Sequence, residues 1–187
     1  MLIGMIMING LFYIPNYLNP VEHDELMQHI DQAVWLTLLR RRVQHYGYLY
    51  NYKSKTLSKS DYLGKLPLWA QTLAERLYAD RLMSKPADQV VVNEYKPGQG
   101  IAPHVDCVPC FGGDIISISL GSACLMDFTR GGDKHALLLE PRSLLVMRGE
   151  ARYQWRHGIA PRKTDSIGDV EIIRERRISV TLRTVTL

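Results

Sequence analysis

The sequence predicts a mainly β protein with helices at its N-terminal end, an α+β chain built on a sandwich or jelly roll. Apolar residues recur at helical spacing in two stretches before Pro86. After Pro86 the chain breaks into about seven short strand-like runs separated by turn residues. With 187 residues and no linker, repeat or low-complexity stretch, a single domain over 1–187 is expected.

The first eighteen residues, Met1 to Leu18, are apolar and uncharged. They lack the basic start of an export signal and are interrupted by Asn9, Gly10, Pro15 and Asn16. They also fall short of the roughly 20 apolar residues that cross a bilayer. A first strand and turn is expected there, with no membrane segment. Asn19-Pro20-Val21-Glu22 then carries a capping residue, a proline at the first helical position and an acid three residues after the cap. Leu26, Ile30 and Val34 follow at helical spacing, giving a helix over about 20–35 with one buried face. A second helix is expected from Pro67 to about Leu82, with Trp69, Leu73 and Leu77 as its apolar stripe.

Strands are expected over Gln89 to Tyr95, Asp114 to Leu120, Ala123 to Phe128 and Ala136 to Leu139. Three more follow, over Ser143 to Met147, Val170 to Ile173 and Arg177 to Val185. Short strands spaced by Pro97-Gly98, Gly112-Gly113, Gly121, Gly131-Gly132 and Gly149 favour a sandwich or jelly roll over a parallel sheet. The helices are expected to back one sheet.

Composition is that of a globular protein, 46% hydrophobic and 22% charged. The net charge of +4 leans mildly towards polyanionic partners. Three cysteines, Cys107, Cys110 and Cys124, do not make a disulfide framework, so a reducing cytoplasm is expected. Cys107 and Cys110 lie in a Cys-x-x-Cys, but a structural zinc site needs four ligands and only one further thiol exists.

Chemistry concentrates in His104-Val105-Asp106 and in His157, some fifty residues later. On an extended segment His104 and Asp106 project to the same side. Two imidazoles and a carboxylate make a facial triad that leaves positions open on Fe(II), although catalytic zinc sites also use three protein ligands. A lone His-x-Asp is common, and His157 taken alone fits a buried, hydrogen-bonded histidine equally well. His23, His29, His45 and His135 have no such company, and surface or supporting places are expected for them. Arg177-Ile178-Ser179-Val180-Thr181-Leu182-Arg183 separates iron from zinc. On a strand Arg177, Ser179, Thr181 and Arg183 share one face, and a guanidinium fork suits a dicarboxylate co-substrate such as 2-oxoglutarate.

A further cluster runs from Arg40-Arg41-Arg42 through Tyr46, Tyr48, Tyr50 and Tyr52, with Lys53, Lys55, Lys59 and Lys65 after it. If extended, the tyrosines line one face. Cations for phosphates interleaved with aromatic faces for bases hold single-stranded nucleic acid. The alternative is a solvated charge run beside a packing strand. Arg42, Tyr46, Tyr48 and Tyr50 are the expected substrate contacts.

These motifs resemble the AlkB family of Fe(II)/2-oxoglutarate dioxygenases, from Gly10 onward. The similarity is densest in Asn93-Glu94-Tyr95-Lys96-Pro97-Gly98, His104-Val105-Asp106 and Ile116-Ser117-Ile118-Ser119-Leu120-Gly121. Trp155-Arg156-His157-Gly158-Ile159 and the Arg177 to Arg183 strand complete it. The resemblance implies a double-stranded β-helix (jelly roll) core over 86–187, with helices and a nucleotide-recognition lid over 1–85. It implies Fe(II), 2-oxoglutarate and O2 as cofactor and co-substrates, with His104, Asp106 and His157 on iron. Arg177 would pair with the distal carboxylate of 2-oxoglutarate, helped by Tyr95 and Ser179, while Asn93 and Arg183 hold the end nearer the metal. The implied substrate is a modified base in tRNA, other RNA or single-stranded DNA, and a monomer is expected.

Repair-type members carry an acid two positions after the metal-binding aspartate, where this chain has Val108. Instead His104 to Phe111, Ser119 to Phe128 and Ser143 to Ile159 look most like the branch that hydroxylates wobble uridine in tRNA. Cys107 and Cys110 are then expected to line the substrate mouth. A protein or small-molecule hydroxylase and a non-catalytic binding module are the competing readings.

Overall fold

Alternation along each strand decides what its two sides meet. In the computed structural model, which describes residues 8–37 and 39–187, the chain opens with β1 (Leu11–Ile14), α1 (Pro20–Gln32), β2 (Val43–Tyr46) and α2 (Leu68–Ala79). There follow β3 (Gln89–Tyr95), β4 (Ile101–His104), β5 (Phe111–Gly121), β6 (Cys124–Arg130), β7 (Asp133–Leu139) and β8 (Leu144–Met147). The last elements are α3 (Gly149–Tyr153), β9 (Arg156–Ile159), β10 (Thr164–Ile167), β11 (Val170–Ile173) and β12 (Arg177–Val185). Met1 to Met7, the start of the expected first strand and turn, lie outside the described residues.

Two antiparallel sheets face each other, as a jelly roll requires. The larger has the order β1-β8-β5-β12-β3-β2 and the smaller β4-β9-β6-β7, with β10 and β11 a separate hairpin. On the outer side of the large sheet Val90, Val92, Ile116, Ile118, Ile178, Val180 and Leu182 meet Leu26 and Ile30 of α1 and Leu73 and Leu77 of α2. The helices therefore back one sheet, as expected. The inner side joins a second cluster, with Ile115, Leu145 and Met147 against Met126, Phe128 and Ile159 of the small sheet. Because β12 pairs with β3 and β5 in register, Arg177, Ser179 and Thr181 stand beside Tyr95, Asn93 and Val91 on one flank. Gly121, Ser119 and Ser117 stand on the other. This polar row faces inwards because its even-numbered neighbours take the helix side.

Asn19 caps α1 through the expected capping box, Glu22 N–H to Asn19 Oδ1 and Asn19 N–H to Glu22 Oε2. The helix stops at Gln32, earlier than its periodicity suggests. Ala33 is extended and returns its N–H to Ile30, which leaves Val34 exposed rather than on the buried face. The short strands β2, β4, β9 and β10 carried no clear alternation. β2 and β9 exist through pairing with longer partners, β2 on β3 and β9 on β6, while β4 pairs with β9 and β10 forms a hairpin with β11.

Candidate metal centre and its cavity

β4 and β9 pair antiparallel and place His104 directly opposite His157, with ring centroids 4.4 Å apart. Gly158 makes this approach possible, since a Cβ there would lie 2.9 Å from both Cα and N of Pro103. Asp106 sits two residues beyond, outside the ladder, with its Oδ2 3.7 Å from Nε2 of His157. One ligand atom from each of the three residues lies within 4.8 Å of the others. Nδ1 of His104 is 2.9 Å from the carbonyl oxygen of Ala102, which turns Nε2 as the free ligand atom.

Burial and charge prepare two of these side chains, Asp106 and His157. Burial raises the pKa of Asp106, but Arg183, whose Nη1 donates to Oδ1 at 2.7 Å, outweighs it together with His157 and His104 and brings the value to about 2. Burial lowers His157 to about 4, only partly countered by Asp106. At neutral pH the carboxylate is ionised and the imidazole neutral, the forms a divalent metal needs. Two imidazoles and a carboxylate with open positions fit Fe(II).

The triad lines a cavity of about 530 Å³ between the sheets, into which Asn93, Tyr95, Ser179, Thr181 and Arg183 also project. Arg177 lies in a narrow crevice behind it that shares Tyr95 and Ile159 with the cavity. Its Nη2 donates to Ser119, and the guanidinium stands 5.6 Å from the Tyr95 ring. Its Nε and Nη1 are buried with no partner among the described residues. A buried guanidinium with two unmet donors suits a carboxylate that arrives with a ligand. Ser179 shares a hydrogen bond with Ser117, and Arg183 is held by Gln89 and Asp106 over the Phe111 ring.

The predicted substrate segment divides. Val43 stands opposite Asn93 in β2, so odd-numbered residues face the cavity and even-numbered ones the helices. Arg42 thus turns outward, forks onto Glu94 with two contacts of 2.6 Å and lies over Trp35. Tyr46 packs against Trp69 of α2. At Gly47 (φ +76) the strand ends, because a Cβ there would strike the Asp88 carbonyl. Tyr48 then packs on Tyr62, inside a flap closed by Leu49 N–H to Asp61 and Leu63 N–H to Gly47. The structure places Arg42, Tyr46 and Tyr48 outside the cavity. Tyr50 lines it, joined by Tyr52, Lys55, Arg40 and Arg41. Arg41 reaches in to donate its Nε to Asn93 at 2.8 Å and lies over Tyr95.

Cys107 and Cys110 form a disulfide, a pairing the cysteine count did not suggest. Cys107 lines the cavity as expected, and the bridge lies against the flap carbonyl of Lys55. Arg41 and Tyr52 lay in the expected substrate cluster but were not among its chosen contacts, and Arg152 was not singled out at all. Strand parity would have picked Arg41 from its run, had the register of β2 been known.

The sequence matches the family model of the 2OG-Fe(II) oxygenase superfamily over residues 35–183. It is 38% identical to an Arabidopsis thaliana protein named "Alkylated DNA repair protein ALKBH8 homolog", over 95% of this chain and 59% of that one. Identity is also 38% to the Mus musculus "tRNA (carboxymethyluridine(34)-5-O)-methyltransferase ALKBH8", over 84% of this chain and 25% of that protein. The chain therefore spans only part of both relatives. Its fold superposes on a solved structure described as "The structure of OsALKBH1" with a TM-score of 0.71 and 16% identity, covering 94% of this chain and 96% of that one.

Proposed function

Because the chain belongs to the 2OG-Fe(II) oxygenase superfamily, with AlkB-type relatives, we propose that it oxidises a modified base presented by single-stranded nucleic acid or tRNA. One observation carries the substrate class. Arg40, Arg41 and Lys55 line the cavity that holds the triad, and none of them forms a salt bridge among the described residues. Beside them Tyr50 and Tyr52 offer aromatic faces. Unpaired cations at a mouth with stacking surfaces fit phosphates flanking a base turned into the pocket.

In this reading His104, Asp106 and His157 hold the iron. Arg177, backed by Tyr95, takes the distal carboxylate of 2-oxoglutarate. Ser179 stands beside Arg177 at that distal end, and Asn93 and Arg183 border the end nearer the metal. When bound, iron and 2-oxoglutarate supply the oxidising power, using O2 to convert the co-substrate to succinate and carbon dioxide while one oxygen enters a substrate C–H bond. The chain's own part is orientation and charge. Arg183 keeps Asp106 ionised and directed, Arg177 fixes the co-substrate's remote end, and the flap with Tyr50 and Tyr52 covers the base against water.

A hydroxyl placed on a carbon attached to a base nitrogen falls apart to a demethylated base, whereas one on a carbon-linked arm stays. Val108, half exposed two residues after Asp106, gives no carboxylate to meet a cationic alkylated base, which favours the carbon-linked arm of a wobble uridine. Nucleoside mass spectrometry after turnover on bulk tRNA and on methylated single-stranded DNA tests this. A gain of one oxygen on a uridine derivative supports the tRNA reading, and methyl loss from DNA replaces it with repair. Succinate formation without change in either substrate would move the enzyme to a protein or small-molecule target.

A further inference from the structure

His104 and His157 are fixed by a strand ladder, but Asp106 is not. β4 ends at His104 and β5 begins at Phe111, so Asp106 heads a turn that no sheet hydrogen bond positions. The Cys107–Cys110 disulfide closes this turn without fixing where it sits. Thr186 holds the far end of the turn, donating to the carbonyls of Cys110 and Pro109, and two arginines hold the end that carries Asp106. Arg183 holds the Asp106 carboxylate, and Arg152 holds the backbone around it.

From α3, Arg152 donates Nη1 to the Asp106 carbonyl at 2.9 Å. Its Nη2 reaches the carbonyls of Cys107 and Phe111, both at 3.3 Å, and its Nε that of Gly112 at 3.2 Å. The side chain is buried at 2% exposure and makes no salt bridge among the described residues. A buried cation costs stability unless its donors are met, and these are met by the two ends of one turn. α3 leads directly into β9 and His157, so the same residue ties the segment of one ligand to that of another.

We propose that Arg152 is a positioning residue for the metal, setting the main chain of Asp106 so that its carboxylate meets the ion bound by the two histidines. The inference rests on His104, Asp106 and His157 being the metal site. Cobalt(II) titration, read by its visible absorption under nitrogen, tests it on four proteins: wild type, Arg152→Met, Asp106→Ala and the double variant. Arg152→Met is expected to weaken cobalt binding about 10–100-fold, the range for groups that orient metal ligands. In the Asp106→Ala background the same change is expected to alter affinity by no more than about twofold, because the ligand it positions is gone.

Equal losses in both backgrounds would overturn the proposal, since a merely structural role acts with or without the carboxylate. So would unchanged affinity in a folded Arg152→Met protein. If Arg152→Met does not fold, Arg152→Lys carries the same cycle, because it keeps the charge and loses the fork. Failure of the wild type to bind cobalt would instead sink the metal site itself.

Discussion

Arg177 is buried with two nitrogens unmet among the described residues, an arrangement that a ligand carboxylate would complete. A charge-assisted pair of this kind contributes about 1.5–3 kcal/mol. Arg177→Ala is therefore expected to raise the dissociation constant for 2-oxoglutarate by about 10–100-fold while cobalt affinity stays near wild type. Calorimetry under nitrogen reads both. Arg41 and Arg42 divide in a different way. Arg41→Ala is expected to weaken single-stranded RNA binding with a shallower salt slope, because a phosphate contact is lost. Arg42→Ala is expected to leave RNA affinity unchanged and to lower the melting temperature, since Glu94 loses its forked partner. Equal effects on RNA binding would remove Arg41 from the mouth. His104, Asp106 and His157 were legible in the sequence because their residue types and order survive any detail of packing. The Arg41 and Arg42 roles were not, because they depend on a one-residue parity fixed by pairing with Asn93, about fifty residues away.

At the scale of elements, Glu94 binds three parts of the fold together. On β3 its carboxylate receives Arg42 and Arg176, and Arg176 also holds Asp31 of α1. The hydrogen bonds from Arg42, then those from Arg176 against the opposing effect of burial, lower the pKa of Glu94 below its ordinary 4.5. A lowered folded pKa adds stability above the unfolded value and loses it as pH falls through the folded one. Wild-type stability is thus expected to drop as pH is lowered below about 4.5, and Glu94→Gln to flatten that limb. At neutral pH the same substitution is expected to cost about 3 kcal/mol. Melting temperatures between pH 3 and 7 give both numbers, taken at about unit steps. A slope unchanged by Glu94→Gln would assign the acid limb to other groups. The helices and most long strands followed from periodicity, whereas β4 and β9, which carry two metal ligands, did not. β4 contains Pro103 and breaks register between Ile101 and His104, so its pairing is made by β9 rather than by its own pattern.

Over the whole molecule, the alternation of the large sheet separates stability from chemistry. Its outer face is an apolar layer under α1 and α2, and its inner face presents cations and hydroxyls to a cavity floored by the triad. The sandwich was legible because alternating strands and turn residues encode it locally. The disulfide was not, since a Cys-x-x-Cys is compatible with free thiols as well as a bridge. Nor was the closure of the expected lid, since Leu49 with Asp61 and Leu63 with Gly47 are contacts that no local pattern joins. The most direct test of the account is the yield of succinate from 2-oxoglutarate with Fe(II) and O2, measured with and without tRNA alongside the oxidised nucleosides. Turnover is expected to be abolished in His104→Ala, stimulated by nucleic acid, and matched by about one oxidised nucleoside per succinate. Turnover that ignores nucleic acid, or that survives loss of His104, would contradict the account.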